Sequence, residues 1–299
     1  MSNTAAVLGP GAVGGALAVR LANTGVHVVC VAHPEAAGLI ALAGLVVESP
    51  EGTLAARVEV VEHLAKPVDL LLVTVKAPGL DDAVERVDPG AVANGVVLPL
   101  LNGLEHVDVI RGRFRSAVAA GSIGRLEAFS PESGVVVQRS VGNAVVNAAS
   151  RALDRPALDA ALEPLRVPGI DVVLGDDERA VLWEKAARLA VLAAATVASS
   201  LAVGRLRVDE AWRPRLVDAL REACAVAAAD GVALDAAAQW AIIEAMPDDL
   251  TTSAARDAAS GRSTELDAIT GSVVRAGMRL GVPTPALALL LEEAACRAR

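Results

Sequence analysis

The sequence predicts an α/β fold: an N-terminal Rossmann-type doubly wound domain over residues 1–173, then an all-α C-terminal domain over residues 174–299. Three observations carry this expectation. Short Val/Leu-rich runs at 5–8, 27–32, 70–75 and 96–101 alternate with helical or loop segments, the pattern of a parallel sheet covered on both faces. A glycine-rich turn follows the first of these runs at once. From about residue 178 the character changes to long alanine-rich stretches with helical spacing.

The glycine turn is the most specific of the three. Ala5-Ala6-Val7-Leu8 reads as a strand, and Gly9-Pro10-Gly11-Ala12-Val13-Gly14 follows it. Leu17 and Leu21 then mark an apolar helix face that stops at Gly25, and a second strand starts at His27. Strand, G-x-G-x-x-G, helix and strand within about 30 residues is a dinucleotide-binding pattern. Gly9 allows the tight turn, Gly11 lets a pyrophosphate approach the backbone, and Gly14 lets the helix pack on the strand. The phosphate then sits at the helix N-terminus. Gly9, Pro10, Gly11, Ala12, Val13 and Gly14 are therefore the expected cofactor loop.

The later elements follow from spacing. Val-rich runs at 117–119, 135–138 and 144–146 read as further strands, with antiparallel pairing open for the last ones. Helices are expected at roughly 178–202, 208–231, 235–245, 264–280 and 284–298. In the fourth, Leu266, Ile269, Val273, Ala276 and Leu280 keep helical spacing. Pro168-Gly169 and Asp176-Asp177-Glu178 mark the domain boundary, although the three acids suit the first turn of a helix equally well.

Composition narrows the function. Hydrophobic residues make up 54% of the chain but aromatics only 2%, with no tyrosine, so the core is aliphatic. Base stacking on aromatic side chains is thus essentially absent. A net charge of −9 argues against a partner bound through its phosphate backbone. Cys30, Cys224 and Cys296 are odd in number and far apart, which points to a reducing compartment and shows neither a disulfide framework nor metal-ligand spacing. The first apolar run is too short for a signal peptide. The run from Leu189 to Val203, broken by Thr196, Ser199 and Ser200, is too short to span a bilayer. The expectation is a cytoplasmic monomer or homodimer acting on a small molecule, with no metal and no nucleic-acid or membrane partner.

The cations are lopsided: 24 arginines against three lysines, Lys66, Lys76 and Lys185. Arginine is not deprotonated in proteins, whereas a lysine becomes a proton donor once burial or neighbouring charge lowers its pKa. Lys66, beside Pro67, reads as a surface residue. Lys76 follows the 70–75 strand and Asn102-Gly103 follows the 96–101 strand, both at the strand ends where open α/β sheets place ligands. A solvated loop lysine and an ordinary turn are the plain alternatives. Lys185, in Leu182-Trp183-Glu184-Lys185, pairs with Glu184 or Glu178 if it is only a surface lysine. Glu265 is either a site residue or a first-turn acid, since Thr264 to Asp267 has capping-box spacing.

The ordered set resembles the ketopantoate reductase family. The likeness rests on the G-P-G-A-V-G start, Val75-Lys76-Ala77, Asn102-Gly103 and Leu182-Trp183-Glu184-Lys185. It continues in the Thr-Thr-Ser segment ending at Ser253 with Asp257, and in Thr264-Glu265-Leu266-Asp267, so that it covers nearly the whole chain. The resemblance implies a Rossmann domain, a helical domain with a cleft between them, and a nicotinamide cofactor that reduces a branched 2-keto acid to a 2-hydroxy acid. It implies that Lys185 is the catalytic lysine and that Asn102, Ser253 and Glu265 line the substrate and nicotinamide site, with Lys76 beside the cofactor. Glu265 then orients the substrate hydroxyl or holds Lys185.

Three positions depart from the family. Asparagines usual four and eight residues after the lysine are here Leu189 and Ala193, and a third, before the glycine aligned with Gly204, is Val203. Losing three polar contacts changes the preferred substrate, so a more apolar keto acid or an imine is the alternative, as is a non-catalytic NADP-binding regulator. Arg188, three residues after Lys185, shares its helix face; it either binds a substrate carboxylate or is a solvated arginine. His33 stands where NAD enzymes place an acid for the ribose hydroxyls, which favours NADP(H) over NAD(H) unless Glu35 serves the ribose.

Overall fold

The computed structural model describes residues 4–298. They divide into two compact units, one taking the chain to Leu101 with His106–Val181, the other taking Asn102–Glu105 with the chain from Leu182 onward.

In the first unit the chain runs β1 (Thr4–Leu8), α1 (Ala12–Ala22), β2 (His27–Val31), α2 (Pro34–Ala43), β3 (Leu45–Ser49), β4 (Gly52–Ala56), β5 (Glu59–Val61), β6 (Leu70–Val73), α3 (Leu80–Val84) and β7 (Val96–Pro99). From His106 it continues as α4 (His106–Arg113), β8 (Ala117–Val118), β9 (Ala120–Gly124), β10 (Ala128–Phe129), β11 (Val135–Gln138), β12 (Ala144–Ala149), α5 (Arg155–Leu162) and β13 (Ile170–Leu174). A parallel sheet has the order β5-β2-β1-β6-β7-β8. The four strands expected first in the sequence are its centre. Every residue of β1, β6 and β7 is buried, because both faces of a parallel sheet are covered, and they therefore read as unbroken apolar runs.

Smaller sheets complete the unit, in the orders β10-β11-β3-β4 and β13-β12-β9. The later strands pair in both senses. β11 is antiparallel to β10 and parallel to β3, and β12 is antiparallel to β9 and parallel to β13. The sequence pattern gives no warning of β4, whose residues are almost all exposed and carry little apolar signal. Helix α1 is buried without a break from Gly14 to Leu21, since it packs against strands of both larger sheets. Its one buried cation, Arg20, donates to the Ala16 carbonyl at 2.9 Å and to Gln138 Oε1 at 2.7 Å, so the guanidinium is not left unsatisfied.

The second unit is helical: α6 (Glu178–Ser199), which starts in the last residues of the first unit, then α7 (Val203–Leu206), α8 (Trp212–Ala229), α9 (Ala236–Glu244), α10 (Ser253–Ala259), α11 (Ser272–Leu280) and α12 (Pro285–Arg297). Helix α8 packs on α9, α11 and α12. Trp183 is its largest fully buried side chain, and Ala187, Ala190, Ala194, Ala219 and Ala223 let the helices close on one another. Helix α6 stops at Ser199 rather than 202 because Ser200 adopts φ +59° and the Ser199 hydroxyl accepts from the Leu201 amide at 3.0 Å. Helix α8 starts at Trp212 rather than 208 because Asp209 Oδ1 accepts from the Ala211 and Trp212 amides, at 2.9 and 3.0 Å.

The expected helix at 264–280 needs correction. The chain turns helical at Leu266 and makes a π-turn over Asp267–Gly271 before α11 begins. The Asp267 carboxylate bonds Arg275 Nη1 at 2.7 Å, and Arg275 Nη2 reaches the Asp267 carbonyl at 3.1 Å, so the acid serves a later turn of helix. Single π-turns inside helices recur at functional sites.

The glycine loop shows why each glycine is there. Gly9 has φ +85°, and its amide donates to the Val31 carbonyl at 3.0 Å. A Cβ on Gly14 would lie 2.3 Å from Thr74 Oγ1 and 2.5 Å from the Gly9 carbonyl oxygen, whereas one on Gly11 would meet nothing within 4 Å. Gly14 is therefore required by packing and Gly11 is not. Gly14→Ala is expected to lower stability by about 1–3 kcal/mol, and Gly11→Ala to change it by roughly 0.5 kcal/mol or less, both read from denaturant unfolding. Equal losses for the two variants would refute this division of roles.

Candidate active site

In the first unit, Gly11 precedes α1 and offers no side-chain cap to the first-turn amides, which leaves those donors for an anion. Gly11 is exposed, Pro10, Ala12 and Val13 are half-buried, and the space above Gly11 is open. A side chain at position 11 would project into that open space. Thr74 fastens the loop to β6 by donating to the Leu8 and Gly9 carbonyls at 3.1 and 2.8 Å. Lys76 lies exposed three residues beyond β6, at the head of a short 3₁₀ turn.

His33 is exposed at the end of β2, where it is the N-cap of α2, and Glu35 is exposed on the next turn. Arg86 Nη2 lies 2.8 Å from His33 Nδ1. The sequence reading missed this guanidinium. It arrives through the bridge between Leu64 and Val87 and the Leu64 amide bonding the Arg86 carbonyl at 2.8 Å, a pairing with no local signature. The remaining lysine, Lys66, is exposed and pairs with Glu59 at 3.3 Å, as a surface lysine should.

In the second unit, Lys185 meets a residue far off in the chain. It is half-buried on α6, and its Nζ donates to Asn102 Oδ1 at 2.9 Å. Glu178 is engaged elsewhere, with Arg111 at 2.6 Å. Burial pushes the Lys185 pKa down from its ordinary 10.5 to about 8; Glu265 opposes the shift by favouring the charged amine, and Arg188 adds to it. Trp183, two residues earlier, is anchored through its Nε1 to Asp230 Oδ2 at 2.8 Å, which fixes the rotation of this part of α6.

Glu265 is buried at the head of the π-turn, and its carbonyl accepts from the Ile269 amide at 2.9 Å. Thr270, inside the turn, donates to the Ala190 carbonyl of α6 at 2.7 Å, so the turn is fastened to the helix that carries Lys185. Arg188 is half-buried and donates Nη1 to the buried Gln239. Ser253 is placed by another route. It is the first residue of α10, whose N-cap Thr252 accepts from the Ala255 amide at 3.2 Å and shares a 2.7 Å hydrogen bond with Thr196 of α6. Ala193 and Val203 are fully buried and Leu189 half-buried.

In the second unit the amine of Lys185, the neutral acceptor Asn102 and the buried Glu265 act on one another. This set suits proton donation to an oxygen that gains charge. Separately, in the first unit, the glycine turn leaves the first-turn amides of α1 uncapped, and a guanidinium lies beside the end of β2.

Comparison with known proteins identifies the family. Residues 5–151 match the family model described as ketopantoate reductase PanE/ApbA, and residues 177–296 match the model of its C-terminal region. The 2-dehydropantoate 2-reductase of Caulobacter vibrioides is 32% identical over 294 residues, 96% of each chain. The crystal structure of a PanE/ApbA family ketopantoate reductase from Ralstonia eutropha superposes with a TM-score of 0.85 at 29% identity, covering 99% of this chain and 98% of that one. A D-mandelate dehydrogenase solved with NADH and anilino(oxo)acetate shares the fold, with a TM-score of 0.88 at 22% identity over 99% and 98% of the chains. The chain belongs to the ketopantoate reductase PanE/ApbA family, oxidoreductases that act on a keto or hydroxyl group.

Proposed function

We propose that this protein is an NADPH-dependent reductase that converts a 2-keto acid to the 2-hydroxy acid, with 2-dehydropantoate, the substrate named for its relatives, as the first to test. The observation that carries the proposal is the Lys185 amine, withdrawn from water and bonded to Asn102 at 2.9 Å. The nicotinamide, when bound, supplies the hydride taken up by the keto carbon. The residues of this chain do the rest. Lys185 stabilises the charge that builds on the keto oxygen and donates a proton to it from Nζ, then regains one from water. Asn102 orients the amine, and Glu265 keeps it charged. Ser253 holds the substrate, and Arg188 is the partner for its carboxylate.

A second reading has its own support. Leu189, Ala193 and Val203 place only aliphatic carbon where the family carries asparagine, which favours a keto acid, or an imine, with a larger apolar group. Steady-state NADPH oxidation with 2-dehydropantoate against a panel of apolar 2-keto acids and cyclic imines separates the two. NADPH binding without turnover of any of them would instead favour a regulator.

Four outcomes are expected. Lys185→Ala lowers kcat by about 10²- to 10⁴-fold while NADPH still binds by fluorescence titration; near-parental turnover would remove Lys185 from the chemistry. The acid form is the protonated amine, present below its pKa. In the parent, kcat for reduction should therefore be flat below about pH 8 and fall above it, whereas oxidation of the hydroxy acid should rise through the same range.

For the cofactor, the Arg86–His33 pair supports NADP, because a guanidinium beside an imidazole suits the 2′-phosphate. His33→Asp should move the ratio of kcat/KM values toward NADH, since the carboxylate repels that phosphate and occupies Arg86. A parent enzyme that already prefers NADH would contradict the assignment.

Arg188→Lys keeps the charge but loses the planar fork. A raised KM for the keto acid with unchanged NADPH affinity is expected, and an unmoved KM would make Arg188 a structural residue.

A further inference from the structure

The second unit takes in four residues from far off in the chain, Asn102–Glu105, and through Asn102 they reach Lys185. Two contacts hold this short segment. Gly103 has φ +94°, and a Cβ there would fall 2.0 Å from the carbonyl oxygen of Ala268, so the segment's backbone rests directly on the π-turn. Glu105 gives both carboxylate oxygens to one guanidinium: Arg275 Nε at 2.9 Å and Nη2 at 2.7 Å. The same guanidinium bonds Asp267 twice, through Nη1 to the carboxylate at 2.7 Å and through Nη2 to the carbonyl at 3.1 Å. Asp267 stands two residues after Glu265. Gly271 makes room for the junction, because a Cβ there would lie 2.8 Å from Asp267 Oδ1 and 3.0 Å from Arg275 Nη1.

Arg275 thus ties the segment that carries Asn102, the acceptor of the Lys185 hydrogen bond, to the turn just after Glu265, whose charge favours the protonated amine. The side chains of Arg275, Glu105 and Asp267 are 41%, 49% and 85% exposed. Ion pairs so open to water add little to stability. A fork with four bonds to two partners is worth more as geometry than as energy.

We propose that Arg275 is a positioning residue: through Glu105 and Asp267 it holds Asn102 and Glu265 in place at the Lys185 amine. The importance of that amine to turnover rests on the reductase reading, but its environment is measurable without any substrate. The chain has only three lysines. Protein labelled with [ε-¹³C]lysine therefore gives three lysine signals, and the Lys185 signal is the one lost in Lys185→Arg. The charged groups that act on it are Glu265 and Arg188, with Asn102 as the neutral acceptor.

The parent signal is expected to titrate near pH 8. In Arg275→Gln the ammonium loses its held acceptor and its held counter-charge, both of which favour the charged form. The midpoint should then fall by about one pH unit, the scale of one charge-assisted hydrogen bond. Glu105→Gln should move it the same way by a smaller amount. In an Asn102→Ala background, Arg275→Gln should move the midpoint less than it does in the parent. With the best substrate of the panel, kcat should fall about tenfold or more in Arg275→Gln, with the Kd for NADPH unchanged. If Arg275→Gln does not fold, as judged by thermal unfolding, the isosteric change at half-exposed Glu105 carries the test. A midpoint that stays put in the folded variants, or one that moves equally with and without Asn102, overturns the proposal. If no keto acid is turned over, the reductase reading fails, and the lysine titration still decides the role of Arg275.

Discussion

The second unit depends on one constraint: the Lys185 amine is drawn into the protein, which works against its charged form. Burial of Lys185 favours the neutral amine, and Arg188 pushes in the same direction. What holds the charge near neutrality is Glu265, with Asn102 accepting a hydrogen bond from Nζ. Much of the nearby architecture answers this need. Trp183 fixes the rotation of α6, Thr270 fastens the π-turn to it, and Gly103 lets a segment from 83 residues away lie against that turn. An amine poised near pH 8 gives up a proton readily yet still carries one at neutral pH, and arginine offers no such balance. The scarcity of lysine elsewhere in the chain makes its use here more telling.

The shortage of aromatic residues shapes how the unit packs. Without large rings to fill space, the helices close through alanine: Ala187, Ala190, Ala193 and Ala194 of α6 are essentially fully buried. Close helix approach leaves little room for error in rotation. This explains the value of discrete polar ties such as the Thr196–Thr252 and Thr270–Ala190 bonds.

Legibility from sequence followed locality. The glycine loop was readable because strand, turn and helix adjoin, and Gly9 and Gly14 answer steric demands from the loop itself and the neighbouring strand. Central strands were readable because burial on both faces removes all polar alternation. The π-turn was not, since Leu266, Ile269, Val273 and Ala276 keep an ordinary helical rhythm through it. The departure shows only in the burial of every residue from Ile269 to Val274. Nor were the long pairings readable. Arg86 meets His33 across 53 residues, Lys185 meets Asn102 across 83, and Arg275 meets Glu105 across 170. Family resemblance pointed to Lys185, Asn102 and Glu265 without saying what holds them together, and it said nothing of Arg86 or Arg275.

The aliphatic positions on α6 and α7 bear on what such an enzyme can change. Ala193 and Val203 are sealed from solvent and contribute no hydrogen-bonding side chain, while Lys185, Asn102 and Glu265 are tied by a network that does not pass through them. On the reductase reading, proton donation therefore does not depend on these aliphatic positions. Such a site can trade asparagine for aliphatic residues at little cost to the lysine, because no acceptor for the amine is lost. The discrimination that hydrogen bonds would have supplied is then gone, and a methylene more or less in an apolar pocket is worth only about 1–3 kcal/mol. Selectivity in such a pocket comes from shape, and a series of related apolar keto acids should be accepted with graded rather than all-or-none preference.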